Sequence, residues 1–181
     1  DDQCTATFHQ QLCVQFEATF DVDVECEIID VQCLGPCEMP CVFIVTHPQT
    51  GQTATYFITF IGMSVIDGNS KWCYSVRVEG DPALSHCILE LCCDPFPTII
   101  PNSVTRNGVG TDYKVVQPGK ELGPDKCGIK FEEGVSENDG TVEYCFELEG
   151  QFDTVLRDVA AKGGSAPDVV NPDCLEGPDC P

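Results

Sequence analysis

The sequence predicts an all-β fold, an antiparallel β-sandwich (jelly-roll or Ig-like) with disulfide-stapled loops and extended termini. Three observations carry that prediction. Apolar and polar residues alternate with a period of two along most of the chain, and helical periodicity is nearly absent. Gly, Asn, Asp and Pro clusters separate the alternating runs at short intervals. Fourteen cysteines are spread over the 181 residues, an even number dispersed as a disulfide framework would be.

Taken in order, the first strands are expected over 13–20 and 21–28. In the second, Asp21, Asp23, Glu25 and Glu27 fall on one face and Val22, Val24, Cys26 and Ile28 on the other. The run Cys33-Leu34-Gly35-Pro36-Cys37-Glu38-Met39-Pro40-Cys41 then reads as a loop held by its cysteines rather than by packing. Further strands are expected over 41–46, 53–61, 72–78, 85–92, 113–116, 128–131, 141–148 and 154–160, all rich in Val, Ile, Phe, Tyr and Thr. Pro48-Gln49-Thr50-Gly51 and Asp67-Gly68-Asn69 have the composition of hairpin connections, and Asn138-Asp139-Gly140 that of a type I′ turn. A short helical turn is expected near 159–162. Beyond Lys162 the chain turns to Gly, Ser, Pro, Asp and Asn, with too little apolar content to join a core. The domain organisation predicted is an N-terminal extension over 1–12, a sandwich over 13–162 and a flexible acidic tail over 163–181.

Composition narrows the function. Thirty acidic residues against nine basic ones give a net charge of −21, which leaves few groups to neutralise nucleic-acid phosphates or an anionic membrane surface. No apolar run approaches the length of a membrane helix, so no membrane insertion is expected. The chain opens on Asp1-Asp2 without a charged, Met-initiated leader, which suggests a mature exported protein. Cysteine usage points the same way, to an oxidising, extracellular compartment. A chain of this length can bury about 70% of its unfolded surface without staples. Seven bridges at about 2–4 kcal/mol each exceed what folding needs, which suggests toughness or covalent links between subunits.

The cysteines are therefore the candidate functional residues. Those near the ends or in adjacent pairs, Cys4, Cys92, Cys93, Cys174 and Cys180, are candidates for intermolecular bridges. Cys13, Cys26, Cys33, Cys37, Cys41, Cys73, Cys87, Cys127 and Cys145 are candidates for intramolecular ones. Cys92 and Cys93, adjacent on a strand, face opposite ways and are expected to bond to different partners. The even spacing of Cys33, Cys37 and Cys41 could hold a metal, but the intervening prolines and the oxidising context favour disulfides.

Other chemistry is weaker. Ser85-His86-Cys87 has nucleophile and base types together, yet on a strand His86 should point away from both neighbours. Asp21, Asp23 and Glu25 are a weak calcium candidate, because Cys26 and Gln32 stand where a calcium loop needs Gly and Glu. Trp72 and Tyr74, two apart, could form a glycan platform, although core packing is the commoner fate of such a pair. No Asn is in an N-glycosylation sequon. No catalytic residue and no cofactor is expected, and the protein is read as not an enzyme.

A wider pattern covers about half the chain. It comprises Trp72-x-Tyr74-x-Val76, Pro82-Ala83-Leu84-Ser85-His86, Gly128-Ile129-Lys130-Phe131, Asp139-Gly140, and the strand from Tyr144 to Leu148. It closes with Val155, Val159 and Ala160-Ala161-Lys162-Gly163-Gly164. This resembles a β-sandwich module of secreted and surface-exposed proteins of bacteria and some other organisms, often an appendage or surface component. Cys73, Cys87, Cys92, Cys93, Cys127 and Cys145 are not part of that pattern. In design rather than sequence, the cysteine-rich ends are similar to spore-appendage and pilus-like subunits locked by disulfides. The expectation is a structural subunit of an extracellular fibre, appendage or coat, with copies of itself as partner. Subunits would join by β-strand addition and be cross-linked by disulfides. The alternative is a secreted adhesin that binds glycans or divalent cations such as calcium.

Overall fold

The computed structural model describes residues 39–179. The strands expected over 13–20 and 21–28, the N-terminal extension, the carboxylates Asp21, Asp23 and Glu25, and Cys4, Cys13, Cys26, Cys33, Cys37 and Cys180 lie outside the described residues. A compact unit opens at Pro40. Its strands are β1 (Cys41–Thr46), β2 (Thr53–Ile66), β3 (Asn69–Gly80), β4 (Leu84–Leu91), β5 (Thr105–Arg106), β6 (Val109–Gly110), β7 (Tyr113–Val116), β8 (Cys127–Phe131), β9 (Thr141–Leu148), β10 (Thr154–Gly163) and β11 (Val169–Pro178). A 3-10 turn, Glu137–Asp139, lies between β8 and β9.

The strands form two sheets, ordered β1-β2-β3-β9-β5-β6 and β11-β10-β4-β8-β7, and every neighbouring pair is antiparallel. The fold is all-β and sandwich-like, as the period-two pattern predicts. That pattern sets the faces directly: in β1, Cys41, Phe43 and Val45 are buried while Val42 and Ile44 are exposed. In β3, Trp72, Tyr74, Val76 and Val78 turn inward. One apolar cluster draws on both sheets. Phe131 of β8 stacks on Tyr144 of β9, across the two layers, with ring centroids 4.6 Å apart.

Three core tyrosines send their hydroxyls to backbone carbonyls far along the chain, which gives each buried O–H its acceptor. Tyr56 donates to the Pro82 carbonyl at 2.9 Å, Tyr74 to Glu176 at 3.0 Å, and Tyr144 to Glu133. Burial pushes the Tyr56 and Tyr144 hydroxyls up to about 12, so they remain donors throughout the ordinary pH range. A methyl group on Gly163 would lie 1.7 Å from the Tyr56 oxygen, so this β10 position has no room for a side chain.

Three local expectations are corrected. Residues 159–162 are strand, not a helical turn, because β10 is clamped between β4 and β11 over that stretch. Asp139-Gly140 does not make a type I′ turn. Asp139 closes the 3-10 turn, its carboxylate accepting from both the Ser136 N–H and hydroxyl, and Gly140 has φ 66° with ψ −139°. The type I′ geometry occurs instead at Asp67 and Gly68, with φ of 51° and 84°. Finally, much of the tail expected to be flexible is β11. It pairs with β10 along its length and buries Leu175. Long-range contacts supply what its sequence lacks. The Asp173 N–H donates to the buried Asp158 carboxylate at 3.1 Å, and Arg157 reaches the Pro178 carbonyl at 2.7 Å.

Candidate functional site

Eight cysteines fall among the described residues, and seven of them are in disulfides. Cys41–Cys174 joins β1 to β11, the edge strands of the two different sheets, with Cα atoms 5.5 Å apart. Beside it the Asn171 side-chain amide donates to the Val42 carbonyl at 2.9 Å. One flank of the sandwich is thereby fastened covalently and by a hydrogen bond. Cys73–Cys145 links directly opposed residues of β3 and β9, with Cα atoms 4.2 Å apart, on the face of that sheet away from the core. Cys93–Cys127 ties the chain just after β4 to the first residue of β8. Cys92 is also disulfide-bonded, so Cys92 and Cys93 have different partners.

Two sets of assignments need correction. Cys93 and Cys174, expected to reach other subunits, are bonded within the chain, because β8 and β1 bring Cys127 and Cys41 into bonding range. Cys87, expected in an intramolecular bridge, is a free buried thiol. It faces the core at mid-strand in β4. The residues in register with it are Ala161 of β10 and Phe131 of β8, neither a cysteine. Burial pushes its thiol up to about 12, which leaves it protonated and unreactive.

Ser85 and His86 come together more closely than strand alternation implies. The register of β10 against β4 shifts between Lys162 and Gly163, and both side chains sit half-buried at that irregularity. His86 Nε2 lies 2.8 Å from Asp168 Oδ1. Ser85 Oγ is 3.4 Å from His86 Nδ1, and it donates to the Lys162 carbonyl at 3.0 Å. The serine proton is thus committed to a backbone acceptor rather than to the imidazole. The trio fastens β4 to the chain on either side of the β10–β11 turn. Cys87, facing the core, takes no part.

A second polar cluster is built round Asp158, which is 5% exposed. Lys126 pairs with both Asp158 and Glu90, and Glu90 accepts the Asp158 N–H at 2.8 Å. Hydrogen bonding to Asp158 raises the Lys126 pKa, as expected for a cation held by a carboxylate. This cluster borders an open cleft of about 360 Å³ that also contains Cys92, Cys93 and Arg157. A second open cleft, about 500 Å³, lies beside β6 and β7 and includes Thr111, Tyr113 and Glu133.

Trp72 and Tyr74 are 0% and 2% exposed and belong to the core, so they form no surface platform. Among the described residues the sole grouping with metal-ligand composition is Cys73, Glu143 and Cys145. Its two sulfurs are bonded to each other and so provide no thiolates. No helix among the described residues is long and apolar enough to cross a membrane.

These features define a disulfide-rich, all-β sandwich-like protein of the kind suited to an oxidising, extracellular-type environment. No protein-family model matches the chain, and no curated protein matches it.

Proposed function

We propose that the protein is a secreted structural subunit of an extracellular fibre, appendage or coat, assembled by β-strand addition and cross-linked by disulfides between subunits. The observation that carries this reading is a matter of parity. The chain has 14 cysteines, and Cys87 is set aside as a core thiol. The odd number that remains cannot be completely paired among the cysteines of these 181 residues. The other described cysteines are all bonded, so the odd sulfur belongs to the set Cys4, Cys13, Cys26, Cys33, Cys37 and Cys180. In an oxidising compartment such a sulfur is a natural link to another molecule. The sandwich itself is already stapled at Cys41–Cys174, Cys73–Cys145 and Cys93–Cys127, so an outward link need not compromise its fold.

The adhesin alternative requires every accessible cysteine paired internally and a recognition surface, and burial of Trp72 and Tyr74 takes away its aromatic platform. Electrophoresis of the oxidised protein without reductant, followed by peptide mapping, tests the proposal. Expected is a ladder of covalent multimers that collapses to one band on reduction, with an intersubunit peptide containing one of those six cysteines. A single monomer band without reductant defeats the cross-linking reading.

A further inference from the structure

The charged cluster around Asp158 lies where three neighbouring strands run side by side. In its sheet, β4 sits between β10 and β8. Glu90 belongs to β4, Asp158 to β10, and Lys126 is the residue before β8 begins. Leu89 is in register with Val159, so Glu90 and Asp158 are the next residues across that ladder. On its other side Glu90 is in register with Gly128, which has no side chain to intervene. Lys126, two residues before Gly128, is therefore a diagonal neighbour of Glu90 on the same face. That face looks away from the main core. It also carries Ile88, two residues before Glu90, and Ala160, two after Asp158, both fully buried in a small apolar cluster with Val116 and Leu122.

The contacts hold all three groups in place. Lys126 Nζ is in direct contact with Asp158 Oδ2 and lies 3.4 Å from Glu90 Oε2. The Asp158 carboxylate is fixed from behind, because its Oδ1 accepts the Asp173 N–H at 3.1 Å. Glu90 is fixed by the Asp158 backbone itself, whose N–H donates to Oε2 at 2.8 Å. An amine thus rests against the carboxyl of a nearly buried aspartate, with a second carboxylate in reach of both. Two carboxylates share one ammonium there, and incompletely paired charge is costly away from water. Lys130 also has two carboxylates, Glu121 and Glu132, but at 3.2 and 3.4 Å and both more open to solvent.

We propose that Lys126 and Asp158 condense in the folded protein to an isopeptide bond, Nζ to Cγ, with Glu90 carrying the protons. The ammonium first passes a proton to the Asp158 carboxylate, which leaves a neutral amine beside a carboxylic acid. Nζ then adds to Cγ. Glu90 takes a proton from the nitrogen and delivers it to the departing hydroxyl. One C–N bond forms, one C–O bond breaks, one water leaves, and Glu90 ends as it began, so no oxidant or cofactor is consumed. Folding supplies the proximity that two such groups lack in solution. The reaction also removes one charge of each sign from a nearly buried site. Glu90 lines the open cleft of about 360 Å³, which gives the water a way out. The bond fastens β10, a strand with no cysteine, to the start of β8 across β4, between residues 32 apart in sequence. It concerns the inside of one chain and stands or falls independently of the proposed assembly.

The test is the intact mass of folded full-length protein, measured after it has been denatured, reduced and alkylated. It is expected to fall short of the sequence mass by one water. Tryptic mapping should give a branched peptide containing residues 126 and 158, with no cleavage after Lys126. Lys126→Arg keeps the positive charge but has no amine to acylate, and should show the full mass. Glu90→Gln should slow the condensation by about a hundredfold or more, the usual worth of a positioned acid–base group, with circular dichroism like that of wild type. A wild-type protein of full sequence mass overturns the proposal, and so does a water loss that persists in Lys126→Arg or a branch that maps to Lys130. An equal yield of the bond in Glu90→Gln overturns the role given to Glu90. The wild-type mass decides whether the bond exists even where a variant fails to fold.

Discussion

Cys87 shows how far a residue's chemistry depends on its address. The same side chain that is bonded at Cys92 and Cys93, a few residues on, is inert here because β4 turns it into the core between Ala161 and Phe131. Its thiolate would have to exist without water, so its pKa rises to about 12 from an ordinary value near 9. Below that value the group is neutral, and alkylation requires the thiolate. Iodoacetamide applied to the folded protein near neutral pH should therefore leave Cys87 unmodified, and the same reagent in denaturant should label it fully. Mass spectrometry of the peptide containing residue 87 reads both results. Labelling in the folded state would show that the thiol is exposed, and no labelling after unfolding that it is bonded; a bonded Cys87 would leave an even number of cysteines to pair. Sequence alone could not single this cysteine out, because pairing is decided by which strands become neighbours and not by spacing along the chain.

At the scale of elements, several strands were legible to the residue. β1, β7 and β9 match the expected 41–46, 113–116 and 141–148; in β1 alternate residues are buried throughout, whereas β7 buries only Val116 fully and is bounded instead by its run of β-forming residues. β5 and β6, two residues each, are too short to display any period. β11 is the instructive miss. Asn171-Pro172-Asp173 and Glu176-Gly177-Pro178 have loop composition, yet the segment is strand because distant groups hold it: Asp158, Arg157, the Tyr74 hydroxyl and Cys41. The His86–Asp168 contact leaves no sequence signal for the same reason, since 82 residues separate the partners and a register shift places them. Because β11 has so little apolar anchoring of its own, its bridge should matter more than its sequence suggests. Replacing Cys41 and Cys174 together by Ser should cost about 2–5 kcal/mol, the range for native disulfides that close long loops. Amide exchange should rise in β11 before it rises in β3 or β9. Uniform loss of protection across both sheets would instead mean that β11 is integral to a single cooperative unit.

For the whole molecule, the fastened flank fixes how the domain would behave under load. A domain held at residue 40 and at residue 178 has a covalent shortcut between its handles. Tension applied at those two points passes from Cys41 through the sulfur bridge to Cys174, a partner 133 positions along the chain, and bypasses the loop between them. At roughly 3.4 Å per residue, that shielded loop stores on the order of 450 Å of chain which a pull cannot release while the bridge is intact. Force spectroscopy on protein held at residue 40 and residue 178 should show almost no extension under oxidising conditions. With reductant it should show a single long gain, and equal extension in both conditions would mean the load takes another route. A coat or fibre made of such units would be stiff along its length for a reason separate from the stability of any fold within it: the sandwich hangs beside the line of force, like a bead on a taut wire.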